Sequence, residues 1–458
     1  MRTCDTRQIT EGVIWKQLLR FFFPILMGSF FQQMYNMADT VIVGRAIGTQ
    51  ALAAVGSCTS LIYLVNGFFI GVSSGATVIL SQHFGAGNRV GSERVLHTGF
   101  SLSLILGILT TLFGVFAGPW IIRLIRTPEN CIGDAVLYTQ IYFSGAIASM
   151  IYNMGTGILR AMGDSTRPTV FLIISCFLNI LLDILFVVVW GMGVAGAAAA
   201  TVLAQTISAI LVTVCLCRLS PDLHLAFKKL LPHGATLVRI LAIGIPAGLQ
   251  MMTYDLSNII TQSSINSFGD VTAAAWAAYA KTDTFIWMII GAFGVAITTF
   301  VGQNYGAEKY HRIHRGTWVC MAMCAVSVIS LSAVTVSFRE WFLNIYTADS
   351  AVVQTGSFML TIAVPFCFLF TPVEILGGTM RGTGYSLVPT LITTMFACVF
   401  RILWVTIVVQ RWHSLRLLIT CYPISWFLCA CVFFLVYFRG RWLHILPKTD
   451  DDVVLHNP

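Results

Sequence analysis

Apolar stretches long enough to cross a lipid bilayer recur from one end of this chain to the other, and they leave few folds open. A crossing helix needs roughly 20 mostly apolar residues. Twelve such stretches are read, at about 18–43, 51–82, 95–118, 134–160, 168–190, 194–217, 237–265, 272–303, 315–338, 354–381, 387–409 and 415–438. Several run past 25 residues, which calls for tilt or extension beyond the membrane. Lipid offers no hydrogen-bond partner, so each stretch must pair its own backbone groups, as a helix does. A membrane barrel would alternate apolar and polar residues, and these stretches do not. Only 10% of the 458 residues are charged, against roughly 25% in soluble domains, too few to coat a soluble core of this size. The expected fold is an all-helical, multi-pass membrane protein.

Charges set the orientation. Arg2, Asp5, Arg7, Glu11, Lys16 and Arg20 lie before or at the start of the first stretch, and no small-residue cleavage site follows a short apolar core. An uncleaved first helix is therefore expected. With a cytoplasmic N-terminus, 19 of the 27 Lys and Arg fall on the inner side, and 6 on the outer side at Arg45, Arg123, Arg126, Arg339, Arg411 and Arg416. That bias predicts both termini in the cytoplasm, with the chain held in a cell membrane. It also accounts for the net charge of +8, with no basic patch that would call for a nucleic-acid partner. The 13 cysteines are scattered, mostly inside apolar stretches such as those holding Cys58, Cys176, Cys320 and Cys398. They read as packing residues, Cys215 and Cys217 included, rather than a disulfide framework.

The chain repeats itself. Ser81-Gln82-His83-Phe84-Gly85-Ala86 ends the second stretch, and Gly302-Gln303-Asn304-Tyr305-Gly306-Ala307 ends the eighth, 221 residues later. At the same spacing, Arg160-Ala161-Met162-Gly163-Asp164-Ser165 matches Arg381-Gly382-Thr383-Gly384-Tyr385-Ser386, and Pro24 faces Pro246 one residue off. Each half holds an even number of crossings, so the two insert with the same sense as parallel repeats, a transporter architecture with the substrate path between lobes. The expected layout is an N-terminal lobe at 1–217, a cytoplasmic linker at 218–236 with Pro221, Lys228, Lys229, Pro232 and Gly234, a C-terminal lobe at 237–440, and a cytoplasmic tail at 441–458. A duplicated channel or membrane enzyme is the competing architecture.

Ionisable residues at membrane depth are costly, so each is a functional candidate. They are Asp39, Asp183, Asp255, Lys281, Asp283, Glu374 and Arg401. Asn179 and Asp183 are four apart and share a helix face. Thr201 and Asp39 fall at about the same depth toward the outer side. Two carboxylates, an amide and a hydroxyl suit a hard ion such as sodium, and two carboxylates held close also suit a shared proton. In the second half, Asp255 and Glu374 read equally as coupling or structural residues. Lys281 and Asp283 lie at a depth similar to Arg401, so Lys281 and Arg401 could neutralise Asp255 or Asp283 as structural groups; Lys281 and Asp283 read as structural or gating residues. Met251 and Met252, with Gln33, Tyr35 and Asn36, lie on stretches expected near a cavity, where methionine suits an adaptable surface.

Phe23-Pro24, Gln32-Gln33-Met34-Tyr35-Asn36, Asp39, Val43-Gly44-Arg45, Gly48 and Ala51-Leu52-Ala53-Ala54-Val55-Gly56 resemble the opening of the multidrug and toxic compound extrusion (MATE) family, bacterial type. The Gln82, Gly85-Ala86-Gly87, Arg160, Gly163-Asp164 and Arg381-Gly382 turns extend the resemblance over the whole chain. It implies a V-shaped, two-lobe antiporter of about twelve helices that exports cationic or amphipathic organic compounds against entering protons or sodium ions. It also implies a cation site, and for sodium a metal site, at Asp39, Asn179, Asp183 and Thr201. Acidic residues on the helices of Asp255 and Glu374 serve coupling in some members.

No cofactor is expected beyond the transported proton or sodium ion; no GxxxxGK[ST] loop is present for ATP. No nucleophile–base or metal constellation argues for an enzyme. A monomer in the bilayer acting on a small organic substrate is expected. The alternative cargo is a lipid-linked precursor, as for flippases of the same superfamily. Such a cavity would want basic residues for a pyrophosphate, whereas Asp39, Asp255, Lys281 and Asp283 lean acidic.

Overall fold

The computed structural model describes residues 9–124, 128–129, 131–220 and 223–443, the side chains of Ser60 and Arg441 aside. The expected charges at Arg2, Asp5, Arg7, Arg126 and Lys448, Pro221 of the linker, and the tail beyond 443 lie outside the described residues. Among the described residues all regular structure is helical. Contacts gather them into two compact units, one of Phe23–Gly248 and one of Thr10–Phe22 with residues from 249 onward. The division falls inside two helices, each 33 residues long with an internal proline, Pro24 or Pro246.

In unit 1 the helices are α1 (Ile14–Ala46, from Phe23), α2 (Thr49–Gly85), α3 (Arg89–Phe116), α4 (Gly118–Leu124), α5 (Ile132–Ser144), α6 (Ala146–Ala161), α7 (Thr166–Asp183) and α8 (Gly193–Cys217). The first part of α9 (Gly234–Asn266) joins them as far as Gly248. One core runs through Val72, Ala76, Ile79, Leu96, Ile158, Val212 and Ile240. A second runs through Ala54, Cys58, Ile122, Tyr138, Tyr142 and Ala197. Helix α7 is pinned to α1 by side-chain bonds onto backbone oxygens. Thr169 Oγ1 donates to the Pro24 carbonyl at 2.7 Å, and Cys176 Sγ to that of Phe31 at 3.4 Å. Those bonds fix the α1 residues that follow against the α7 residues that matter below.

Two features of unit 1 follow from glycine. A Cβ on Gly71 of α2 would stand 2.2 Å from the Gly248 nitrogen, and one on Gly75 2.2 Å from the Ile240 oxygen. Here α2 and α9 touch backbone to backbone, which small residues on both helices permit. Gly145 separates α5 from α6, so the fourth expected crossing is two helices, neither long enough to span alone.

Unit 2 holds the rest of α9, then α10 (Asp270–Gly306), α11 (Tyr310–Ser337), α12 (Arg339–Asn344), α13 (Ser350–Ala363), α14 (Phe370–Gly382), α15 (Leu387–Thr393), α16 (Phe400–Leu403), α17 (Gln410–Trp412) and α18 (Leu415–Phe438). The duplication is written in the helix ends. Both α2 and α10 have 37 residues and both α3 and α11 have 28, each pair set 221 apart at both ends. The turns after Arg160 and Arg381 both place glycine in the left-handed region, Gly163 at φ +86° and Gly384 at φ +91°. That conformation costs a side chain and not glycine.

Ten of the described helices are long and apolar enough to cross a membrane. The other two expected crossings fall on α1 and on the α5–α6 pair. Gln32, Gln33, Asn36 and Asp39 lower the hydropathy of α1, and Gly145 interrupts the pair.

Candidate functional site

Helices α1, α7 and α8 converge in unit 1 on a polar group inside an apolar surround. Asn179, Asp183 and Thr201 are 1%, 0% and 2% exposed. With its amide nitrogen turned toward Asp183, Asn179 donates to Asp183 Oδ2 at 2.9 Å and its oxygen accepts from the Thr201 backbone N–H at 3.3 Å. Tyr35 Oη of α1 donates to Thr201 Oγ1 at 3.3 Å. Asp39, one helical turn further along α1, interacts electrostatically with both Asp183 and Tyr35. One oxygen of each carboxylate, Asp39 Oδ1 and Asp183 Oδ1, is buried without a hydrogen-bond partner. Buried acceptors are seldom left unmade, so the pair presents two open positions for a proton or a cation.

Asp183 is also where α7 changes character. The α-helix ends there and a π-helical segment follows at Ile184–Val189. Such segments cluster at functional sites because the widened turn re-aims the side chains around it.

Sequence reading missed two tyrosines and two amides of this neighbourhood. Tyr138 of α5 lies in the electrostatic reach of Asp39 and stacks on Tyr142, ring centroids 6.2 Å apart. Tyr142 accepts from Asn66 Nδ2 at 2.9 Å and also bonds Gln205. The available signal was a pair of hydroxyl-bearing rings four apart on an otherwise apolar stretch. Of the expected cavity residues, Tyr35 joins the carboxylate group, while Asn36 and Gln33 bond each other at 3.3 Å. Met251 is exposed and Met252 half-buried on the unit 2 part of α9.

In unit 2 the expected pairing of charges is not what the structure makes. Lys281 and Arg401 bond neither Asp255 nor Asp283. Asp283, 6% exposed, takes the indole N–H of Trp287, with Tyr279 and Cys367 completing its partners. Lys281 is exposed, its ammonium 5.8 Å from the centre of the Tyr346 ring. The reason is rotational: residues two apart on a helix face different directions, so equal depth does not bring Lys281 and Asp283 to one neighbour. Asp255 is half-buried. Glu374 bonds Arg381 at 2.9 Å within α14. Its counterpart 221 residues earlier is Asn153, which donates instead to the Ser149 carbonyl at 3.0 Å.

Among the described residues no three His, Cys, Asp or Glu side chains converge. The chemistry on offer in unit 1 is therefore a mixed oxygen set around two carboxylates, suited to a proton or a hard monovalent ion.

The MatE family model matches the chain twice, over residues 24–185 and 246–407. Among curated relatives, the chain is 30% identical to the Probable multidrug resistance protein YpnP of Bacillus subtilis (strain 168), over 94% of this chain and 97% of that one. It is 29% identical to YoeA, a second Probable multidrug resistance protein of the same strain, over 85% of each. A solved MOP superfamily transporter from Pyrococcus furiosus shares the fold at a TM-score of 0.90, with 22% identity over 96% of this chain and 99% of that one. The paired match repeats the duplication seen in the helix ends, and on these grounds the chain belongs to the MatE family.

Proposed function

We propose that the protein is a secondary antiporter that exports organic compounds of cationic or amphipathic character in exchange for protons or sodium ions. The exchange site is Asp39, Asn179, Asp183 and Thr201, with Tyr35 as their hydrogen-bonding neighbour. The observation that carries this reading is the pair of partnerless buried carboxylate oxygens on Asp39 and Asp183, the latter beside the Asn179 amide and the Thr201 hydroxyl on helices long and apolar enough to cross a membrane. Relatives described as multidrug resistance proteins support the cargo class. A gradient drives export only if the ion binds the two states of the transporter unequally. Burial disfavours a charged carboxylate, so a site shielded in one state and hydrated in the other takes up its ion in the first and gives it up in the second. Sodium would neutralise the same oxygens by direct contact.

Reconstituted vesicles with imposed proton and sodium gradients, applied separately, test the function. An organic cation such as a fluorescent dye is expected to accumulate against its own gradient under one of the two. Movement only down its own gradient would indicate a channel. Transport of a lipid-linked precursor with no dye movement would indicate a flippase.

The proposed orientation puts both termini and the 218–236 linker in the cytoplasm, on the strength of the Lys and Arg bias. Lys228→Cys, made in a background whose exposed cysteines are replaced, is expected to resist membrane-impermeant maleimide in intact cells and to react after permeabilisation. Labelling from outside would reverse the orientation.

A further inference from the structure

Arg401 is a buried cation in a membrane-crossing helix, and the structure shows what holds it there. It is 5% exposed. Its Nε donates to Ser425 Oγ at 3.0 Å, and its guanidinium lies 4.4 Å from the centre of the Tyr422 ring and 6.0 Å from that of Trp426. No ion pair to it occurs among the described residues. Carboxylate influence is indirect: Asp283 and Arg401 both act electrostatically on Tyr422, and Glu374 and Arg401 on Tyr254. The guanidinium is therefore compensated chiefly by ring faces, which attract cations most strongly when water is absent.

The helix that presents Arg401 is distorted on both sides of it. Four α-helical residues, Phe400–Leu403, stand between π-helical segments at Thr394–Val399 and Trp404–Val409. Among its described residues unit 1 has one such segment, directly after Asp183. At the 221-residue offset, Arg401 corresponds to Ile180, Trp404 to Asp183 and Tyr422 to Thr201. The same pair of helices thus carries oxygen donors with open positions in unit 1, and ring faces with a cation already on them in unit 2.

We propose that unit 2 contains a cation site of its own, formed by Tyr422, Trp426 and Ser425, which the Arg401 guanidinium fills as a resident cation. Emptied of that side chain, the site accepts a small planar organic cation from solution. This holds whatever ion unit 1 exchanges.

The probe is guanidinium itself, at millimolar concentration, on purified full-length protein in detergent, with sodium chloride at matched ionic strength as the control. Arg401→Ala is expected to show a saturable change in tryptophan fluorescence and a rise in melting temperature with guanidinium. Wild type, whose site is filled, and Arg401→Ala with Tyr422→Leu are expected to show neither. If Arg401→Ala does not fold, Arg401→Gln serves, because it retains a donor to Ser425 without the charge. A folded, vacated variant that responds to guanidinium no more than to sodium overturns the proposal, as does an equal response from wild type. So does failure of both variants to fold when guanidinium is present throughout purification, since a filled site restores what Arg401 supplied.

Discussion

Asp183→Asn is expected to reduce gradient-driven export to the level of empty vesicles while leaving folding and membrane insertion intact. The substitution keeps the shape of the side chain and an oxygen that can go on accepting from Asn179 at the 2.9 Å contact. What it removes is the charge, together with the ability of Oδ1, which has no partner, to take a proton or ligate an ion as a carboxylate. The fold loses no bond that it uses, so the melting temperature should stay near that of wild type. Export must be normalised to inserted protein. Thr201→Val, in the same assay, should weaken a sodium-driven cycle more than a proton-driven one, because a hydroxyl oxygen ligates a metal directly and contributes little to holding a proton on a neighbouring carboxylate. Uphill export at the wild-type rate by Asp183→Asn would move the exchange site elsewhere, with Asp255 and Glu374 the first residues to examine.

Gly71→Ala is expected to destabilise the protein by about 1–3 kcal/mol, the range for an overpacked contact, read as a melting temperature lower by several degrees. The added methyl would meet Gly248 N at 2.2 Å, Gly248 Cα at 2.3 Å and Ala247 C at 2.6 Å. All three are backbone atoms, so no side chain can swing aside and α2 and α9 must separate. Gly56→Ala on the same helix is the control. Nothing lies within 4 Å of its added Cβ, and alanine is the better helix former by roughly 0.5–1 kcal/mol, so this variant should be as stable as wild type or more so. Equal effects from the two substitutions would mean that helix propensity, not the α2–α9 contact, decides.

The residues themselves told a good deal about the fold, for identifiable reasons. Apolar length marks a crossing whatever surrounds it, and duplication preserves spacing, which is why the helix ends of α2 and α10 recur at the offset already visible in Gln82 and Gln303. The polar neighbourhood was less legible. Asn179 and Asp183 share a face by their spacing alone, and their depth relative to Thr201 can be counted from helix ends. Tyr138 and Tyr142 could not be placed this way, because α5 stops at Gly145 and a count along an unbroken crossing misplaces everything before the break. The charges of unit 2 are not legible in the sequence, for another reason. Depth says how far a residue lies along a helix, not which way it points, and two π-helical segments around Arg401 turn it onto Tyr422 and Trp426 in a way that no 3.6-residue count anticipates. Glu374 shows a third limit. Its partner Arg381 lies on the same helix, so a search for neutralising charges on neighbouring helices passes it by.

The central claim is that the carboxylates of unit 1 hold the ion that substrate displaces. It is tested most directly on purified protein in weakly buffered detergent solution, by measuring ion release when an organic cation is added, with a pH dye for protons and a sodium electrode for sodium. Wild type is expected to release one of the two ions in proportion to substrate bound, and Asp183→Asn none. Equal release from wild type and Asp183→Asn would contradict it.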